Sequence, residues 1–169
     1  MKRISFDYDG TLTRPRIRAY AKLCKRLGYD IHILTSRQND ITSPDYLYDA
    51  LGHDFFCYRG ILYCNDEVFA LAEELGISEE NIHFNPGGFE SSGRWKSTFF
   101  RTEHEEGRKY ILHLDDDPEV IQRLNKDKYQ CWHEVTAVSC FKTAPWVDKC
   151  NILLADTDWA AYLALKANS

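Results

Sequence analysis

From the third residue of the chain, Ile4, Phe6 and Tyr8 alternate with polar positions, a period of two that predicts a strand over 3–8. The period then changes. Ile17, Tyr20, Cys24 and Leu27 share one face of a helix over 16–27, and Gly28 stands where helices commonly stop. Ile31 to Leu34 reads as a buried strand, Val68, Leu71, Ala72 and Leu75 as a helix closed by Gly76, and Ile82-His83-Phe84 as a short strand. A helix is expected over 94–106 around Trp95, Phe99 and Phe100, ending at Gly107, with a strand over 110–114 after it. Asp117-Pro118 joins a cap to a proline at the first helical position and opens a helix to about Lys126. Tyr129 to Val135 reads as another strand, and Asp156 or Thr157 as the cap of a final helix through Ala167.

Strands alternating with helices in this way predict an α/β fold, an open and mostly parallel sheet with helices on both faces. In such sheets ligands bind at the carboxyl ends of the strands. The first strand ends in Asp7-Tyr8-Asp9-Gly10, the second in Thr35-Ser36-Arg37, and the strand at 110 in Asp115-Asp116-Asp117. Carboxylates and hydroxyls therefore gather where the fold would place a site. The stretch 38–66 fits no βα unit. Phe55 to Tyr58 and Ile61 to Tyr63 around Arg59-Gly60 read as a hairpin or small lid.

With 169 residues, 44% of them apolar, the chain is expected to form a single domain over 1–169 with a real core. The longest apolar run is seven residues, Trp159 to Leu165, against the roughly 20 a membrane helix needs. Asp7 and Asp9 break the apolar stretch that an export signal would require, so a cytoplasmic protein with no membrane partner is expected. The six cysteines then read as reduced thiols, mostly core filling, and His53, Cys57 and Cys64 match none of the usual zinc spacings. The net charge of −5 argues against a protein that coats nucleic acid non-specifically. It conceals an asymmetry: Gly10 to Tyr29 holds no acid and six bases, Arg14, Arg16, Arg18, Lys22, Lys25 and Arg26. That run is either a solvated helix face or an anion-binding surface beside the site.

Carboxylates converging in one crevice repel, and a hard divalent ion with oxygen ligands relieves this. Mg²⁺ takes one or two carboxylates and shares a phosphate oxygen. Lys96 and Thr35 could hold the remaining phosphate charge. A carboxylate there can attack phosphorus, and a second, two residues on, can protonate the leaving oxygen and then activate water. A calcium loop starting at Asp7 is excluded, because the position of its bidentate Glu holds Arg18. His32 and His113 interrupt buried strands and are expected to be satisfied core histidines.

Phe6-Asp7-Tyr8-Asp9-Gly10-Thr11-Leu12-Thr13 resembles the first motif of the haloacid dehalogenase (HAD) superfamily of phosphohydrolases. Ile33-Leu34-Thr35 resembles the second, Lys96 occupies the place of the third-motif lysine, and Leu114-Asp115-Asp116 resembles the fourth. The resemblance spans residues 3 to about 135 and implies a Rossmann-like core without a large cap domain. It implies a Mg²⁺-dependent phosphomonoesterase forming an aspartyl-phosphate, with Asp7 as nucleophile and Asp9 as general acid/base. Asp7, Asp9 (through its backbone carbonyl), Asp115 and Asp116 would hold the metal, with the register of the three consecutive aspartates open by one. Thr35 and Lys96 complete the catalytic set, and Gly10, Thr11, Ser36, Arg37, Arg14 and Arg16 are the candidate substrate contacts. Thr35-x-Arg37, Asp115-Asp116 and Cys131-Trp132, expected on the last strand, further resemble the 3′-phosphatase half of phage polynucleotide kinase/phosphatases. No phosphate-binding Gly-x-x-x-x-Gly-Lys-Ser/Thr for a kinase half occurs. A nucleotide or nucleic-acid 3′-phosphate is thus the expected substrate. A small phosphorylated metabolite, or a binding role on an inactive HAD scaffold, is the alternative. The segment 136–169 has no counterpart in the resemblance.

Overall fold

The computed structural model describes residues 1–39, 46–48, 54–58, 61–141, 144–157 and 159–167. Strands β1 (Arg3–Phe6), β2 (Asp30–Leu34), β6 (Ile82–His83), β7 (Tyr110–Asp115) and β8 (Thr136–Ser139) form one sheet in the order β6-β2-β1-β7-β8. Every pairing in it is parallel. The helices α1 (Pro15–Arg26), α2 (Asp66–Leu75), α3 (Ser92–Glu105), α4 (Pro118–Tyr129), α5 (Trp146–Thr157) and α6 (Trp159–Ala167) complete the α/β architecture. None of them is long and apolar enough to cross a membrane.

Register explains how the sheet is covered. Ile4 pairs with Ile31 and Leu112, and Phe6 with Ile33 and Leu114, so six apolar side chains share one face. Ile17 and Cys24 of α1, Val68 and Leu75 of α2, and Trp146, Cys150 and Leu154 of α5 pack there. Full burial of a side chain of this size stabilises by about 1.5–3 kcal/mol. A second cluster, including Trp95, Phe99 and Phe100 of α3 and Val120 and Leu124 of α4, sits with Ala137 and Leu34 of the strands. The alternate strand positions Ser5, His32 and His113 are polar and buried.

The ladders run one residue past the strands, which levels their carboxyl ends. The Asp7 N–H donates to Leu114 O (2.9 Å), that of Thr35 to His83 O (3.0 Å) and that of Cys140 to Asp115 O (2.9 Å). Asp7 and Asp115 thereby become neighbours at the rim. A separate antiparallel sheet holds β3 (Tyr46–Tyr48), β4 (Asp54–Tyr58) and β5 (Ile61–Cys64), with Tyr58 opposite Ile61. The expected hairpin is therefore present with a third strand added. Arg59, Gly60 and His53 lie outside the described residues.

Two expectations are corrected. Tyr129–Val135 is not a strand: α4 continues to Tyr129, and the strand begins only at Thr136. Asp127, buried, accepts from Ser97 and Arg101 and holds the last turns of α4 against α3. The helix then closes with Trp132 N–H on Asp127 O (3.0 Å) and Cys131 N–H on Lys128 O (2.9 Å). This closure puts a left-handed residue after the helix, a place usually taken by glycine, and Cys131 fills it at φ 63°. With no glycine to mark the stop, the aromatic run reads as a strand. Cys131 and Trp132 consequently lie in a turn, not on the last strand. The second correction is α5: Trp146, Cys150 and Leu154, four apart, bury one face of a helix where none was expected. Asp156 and Thr157 end that helix instead of capping the next.

Candidate active site

The turn after β1 is built by its own backbone. Leu12 N–H donates to Asp7 O (3.2 Å) and Thr13 N–H to Tyr8 O (3.3 Å), so the chain folds back across the sheet end. Gly10 allows it. Its φ is +72°, and a Cβ there would stand 2.1 Å from Asp116 Oδ2. A side chain at this position would push Asp116 out of the site.

Asp7, Lys96 and Asp115 form a nearly sealed cluster at this rim, 6%, 1% and 1% exposed. Lys96, on the second turn of α3, donates to Asp7 Oδ1 (2.8 Å) and Asp115 Oδ2 (2.5 Å). Ser91 caps α3 by accepting from Arg94 N (3.1 Å). Asp115 also meets His113 Nε2 (3.0 Å), whose Nδ1 faces Ser5 Oγ (2.9 Å), and its Oδ1 accepts from Asp117 N (2.9 Å). Burial pushes His113 down despite the carboxylate, so the ring is neutral. Its Nε2–H donates to Asp115, and Nδ1 accepts from Ser5. Both expected core histidines are satisfied: His32 bonds Asp30, His83 and Tyr110.

Burial, then the charge of Asp115, pushes the Asp7 carboxyl well above the ordinary range, with Lys96 opposing. Burial also acts to raise Asp115, but Lys96 and His113 outweigh it and hold that carboxyl below the ordinary range. Asp116, half-buried, is raised by burial and by Asp115. Lys96 is raised against its own burial by Asp115 and Asp7. Asp7, Asp115 and Asp116 each offer an oxygen, all within 4.8 Å of one another. Three carboxylates and one ammonium leave a formal charge of −2, and the donors are all hard oxygens. This set fits a divalent cation such as Mg²⁺.

The remaining candidates divide. Asp9, Ser36 and Arg37 line the same cavity of about 750 Å³ as Asp7, Lys96, Asp115 and Asp116. Arg37 grips Asp9 with a two-pronged fork, Nε to Oδ2 at 2.8 Å and Nη2 to Oδ1 at 2.7 Å. Ser36 hydrogen-bonds Ser92 across the cleft. Thr35 and Thr11 are fully buried: Thr35 Oγ1 accepts from Arg37 N (3.2 Å), and Thr11 Oγ1 donates to Asp7 Oδ2 (3.2 Å). Gly10 N–H donates to Thr13 Oγ1 (3.1 Å). Arg14 does not line the cavity; its guanidinium donates to Cys140 O, while Arg16 is exposed. Arg18 likewise turns to Leu12 O and Thr13 O.

Sequence reasoning missed Tyr63, Asn85, Phe89 and Phe141 on the cavity wall and Glu67 on Arg37. Nothing local in the sequence ties these residues to the strand-end motifs.

No protein-family model and no curated protein matches the chain. Among solved structures it is similar to the HAD domain of effector protein Lem4 from Legionella pneumophila, at 14% identity. That match covers 95% of this chain and 97% of the other, with a TM-score of 0.50. An inactive mutant of the same domain matches over 99% and 98% at 14% identity, with a TM-score of 0.46. Parallel sheet order, helices on both faces and this likeness agree: the chain has a HAD-like α/β fold, with no large cap among the described residues.

Proposed function

We propose that the chain is a Mg²⁺-dependent phosphomonoesterase working through an aspartyl-phosphate on Asp7, its substrate a nucleotide or nucleic-acid 3′-phosphate. The observation that carries this reading is the Asp7 carboxylate, held by Lys96 beside Asp115 and Asp116 at the floor of a 750 Å³ cavity. A cation held by Asp7, Asp115 and Asp116 would supply charge neutralisation, letting Asp7 ionise and an anionic substrate approach. Asp7 attacks phosphorus and the ester P–O bond breaks; the leaving oxygen takes its proton from Asp9. Asp9, now a carboxylate, accepts a proton from water as that water attacks the phosphoryl group. Inorganic phosphate leaves, with Asp7 free and Asp9 protonated again. Lys96 offsets charge on the phosphoryl oxygens. Phe89 and Phe141 on the wall support a substrate with a flat ring, which aromatic side chains stack on. The small sheet β3–β5 is read as a lid on the same single domain.

A phosphate-release screen across nucleotides, 3′-phosphorylated oligonucleotides and sugar phosphates, with Mg²⁺ and with EDTA, tests the reading. Release from the nucleic-acid esters that chelation abolishes is the expected result. Preference for sugar phosphates would move the substrate to a small metabolite. No release from any ester would leave a binding role on an inactive scaffold.

A further inference from the structure

We propose that Glu67 is a positioning residue for the reaction: through Arg37 it fixes the carboxylate of Asp9, and Arg37 is a clamp within the protein instead of a ligand for substrate phosphate. The inference rests on the phosphatase reading above and adds to it a residue on α2, outside the HAD-like motifs.

Arg37 is only 4% exposed although it borders the cavity. A guanidinium has five N–H donors, and four are committed to the protein. Two grip Asp9, one goes to Glu67 Oε1, and one goes to Cys64 O at 3.2 Å. Its faces are committed as well, with the rings of Tyr8 and Tyr63 each 4.8 Å away. A group meant to receive a phosphate would keep its fork open. This fork is closed on Asp9.

The anchor stands on packed backbone. Glu67 lies in the first turn of α2, where a carboxylate is favoured by the helix dipole, and the next residue, Val68, is fully buried in the core. Asn65, fully buried just before that turn, donates to Gln38 O (2.9 Å) and ties α2 to the segment carrying Arg37. Cys64 and Tyr63 belong to β5. Asp9 itself is nearly half exposed, and both its carboxylate oxygens accept from Arg37. Proton transfer to the leaving oxygen needs that carboxylate within hydrogen-bond reach, and a displacement of about 1 Å can cost a hundredfold.

The test compares kcat and KM of the parent, Glu67→Ala, Glu67→Gln and Arg37→Lys on two aryl phosphates, one with a poor and one with a good leaving group, with melting curves alongside. Glu67 is half exposed, so these variants should fold. Glu67→Ala should lower kcat/KM on the poor leaving group about tenfold and lower it less on the good one, whose departure needs no proton; kcat/KM reads the steps through that departure and leaves out the later attack of water, which Asp9 serves for both esters. Arg37→Lys should lose more than Glu67→Ala, because an ammonium cannot reproduce the fork. In an Asp9→Asn background, Glu67→Ala should cost nothing further. A rise in KM at constant kcat, with Lys largely replacing Arg37, would return Arg37 to phosphate binding. Equal losses on both esters, or additive losses with Asp9→Asn, would likewise overturn the clamp. A parent that hydrolyses neither ester overturns the phosphatase reading and the clamp with it; a working parent indifferent to Glu67→Ala overturns the clamp alone.

Discussion

Asp7 and Asp9 leave the same turn two residues apart, yet each is received by a different cation in a different medium. Asp7 meets Lys96 at the cavity floor, where Lys96 and Asp115 are both 1% exposed. Asp9 meets Arg37, itself only 4% exposed, but here the carboxylates reach solvent, Asp9 at 46% and Glu67 at 51%. In the first setting each charge is costly unless compensated, so the cluster is bound up with the stability of the fold and with any cation it takes. In the second, water screens the carboxylates, and the arrangement can govern orientation at little cost to stability. The two tasks proposed for them, holding a nucleophile and aiming a proton donor, differ, and the two surroundings match them.

Breaking the buried side should have the largest effects. Asp7→Asn keeps the shape and removes the proposed nucleophile. Turnover should fall by several orders of magnitude, and a residual above roughly a hundredth of the parent would count against the covalent role. Lys96→Met leaves Asp115 buried without its ammonium and should destabilise by about 3–5 kcal/mol. At this chain length that is a drop of roughly 6–20 °C in melting temperature. Glu67→Ala, the matching change at the rim, should cost about 1 kcal/mol or less. Similar melting curves for the two variants would erase the distinction.

Metal removal sharpens the comparison through pH. Asp7 and Asp116 are raised in the folded chain, so without metal the native state holds their protons more tightly than the unfolded state does. Their contribution to stability therefore falls as pH rises from the ordinary carboxylate range through the raised values. Asp115 is lowered; its contribution is present above the ordinary range and lost only as pH falls through its depressed value. His83 and His133, pushed down to about 4 by burial, add stability as pH rises toward about 6.5 and would mask the effect. The clean readout is the melting temperature of Asp7→Asn minus that of the parent, both in EDTA. It should grow as pH rises and shrink when Mg²⁺ is added, since a ligand bound only to the folded state stabilises it. A difference independent of pH would mean that Asp7 is not raised.

The smallest effect belongs to the basic run. Arg14 and Arg18 are spent on backbone carbonyls, which leaves Arg16 as the exposed base nearest the turn. Arg16→Glu should raise KM for a 3′-phosphorylated oligonucleotide a few-fold and lower its salt slope by roughly 0.7. A small aryl ester should be unaffected. Equal shifts for both substrates would assign Arg16 to general surface charge.

Local signals carried much of this molecule. Alternating Ile4 and Phe6, the acid-rich strand ends at Asp7 and Asp115, and the Asp117-Pro118 cap could be read because periodicity and capping depend on residues a few positions apart. The cap is there, with Asp117 accepting from Glu119 N (2.9 Å). The end of α4 was not legible, because Cys131 performs without glycine what glycine usually signals. Nor was α5, whose buried Trp146, Cys150 and Leu154 gain their meaning only against the sheet. Above all, sequence could name the charged residues of the site but not their partners. Lys96 meets Asp7 across 89 positions, and Arg37 meets Asp9 and Glu67 across 28 and 30. Those pairings are set by the register that brings β1 beside β7 and by helices docked on the sheet, and such long-range packing decided which carboxylate is sealed with a lysine and which is aimed by an arginine.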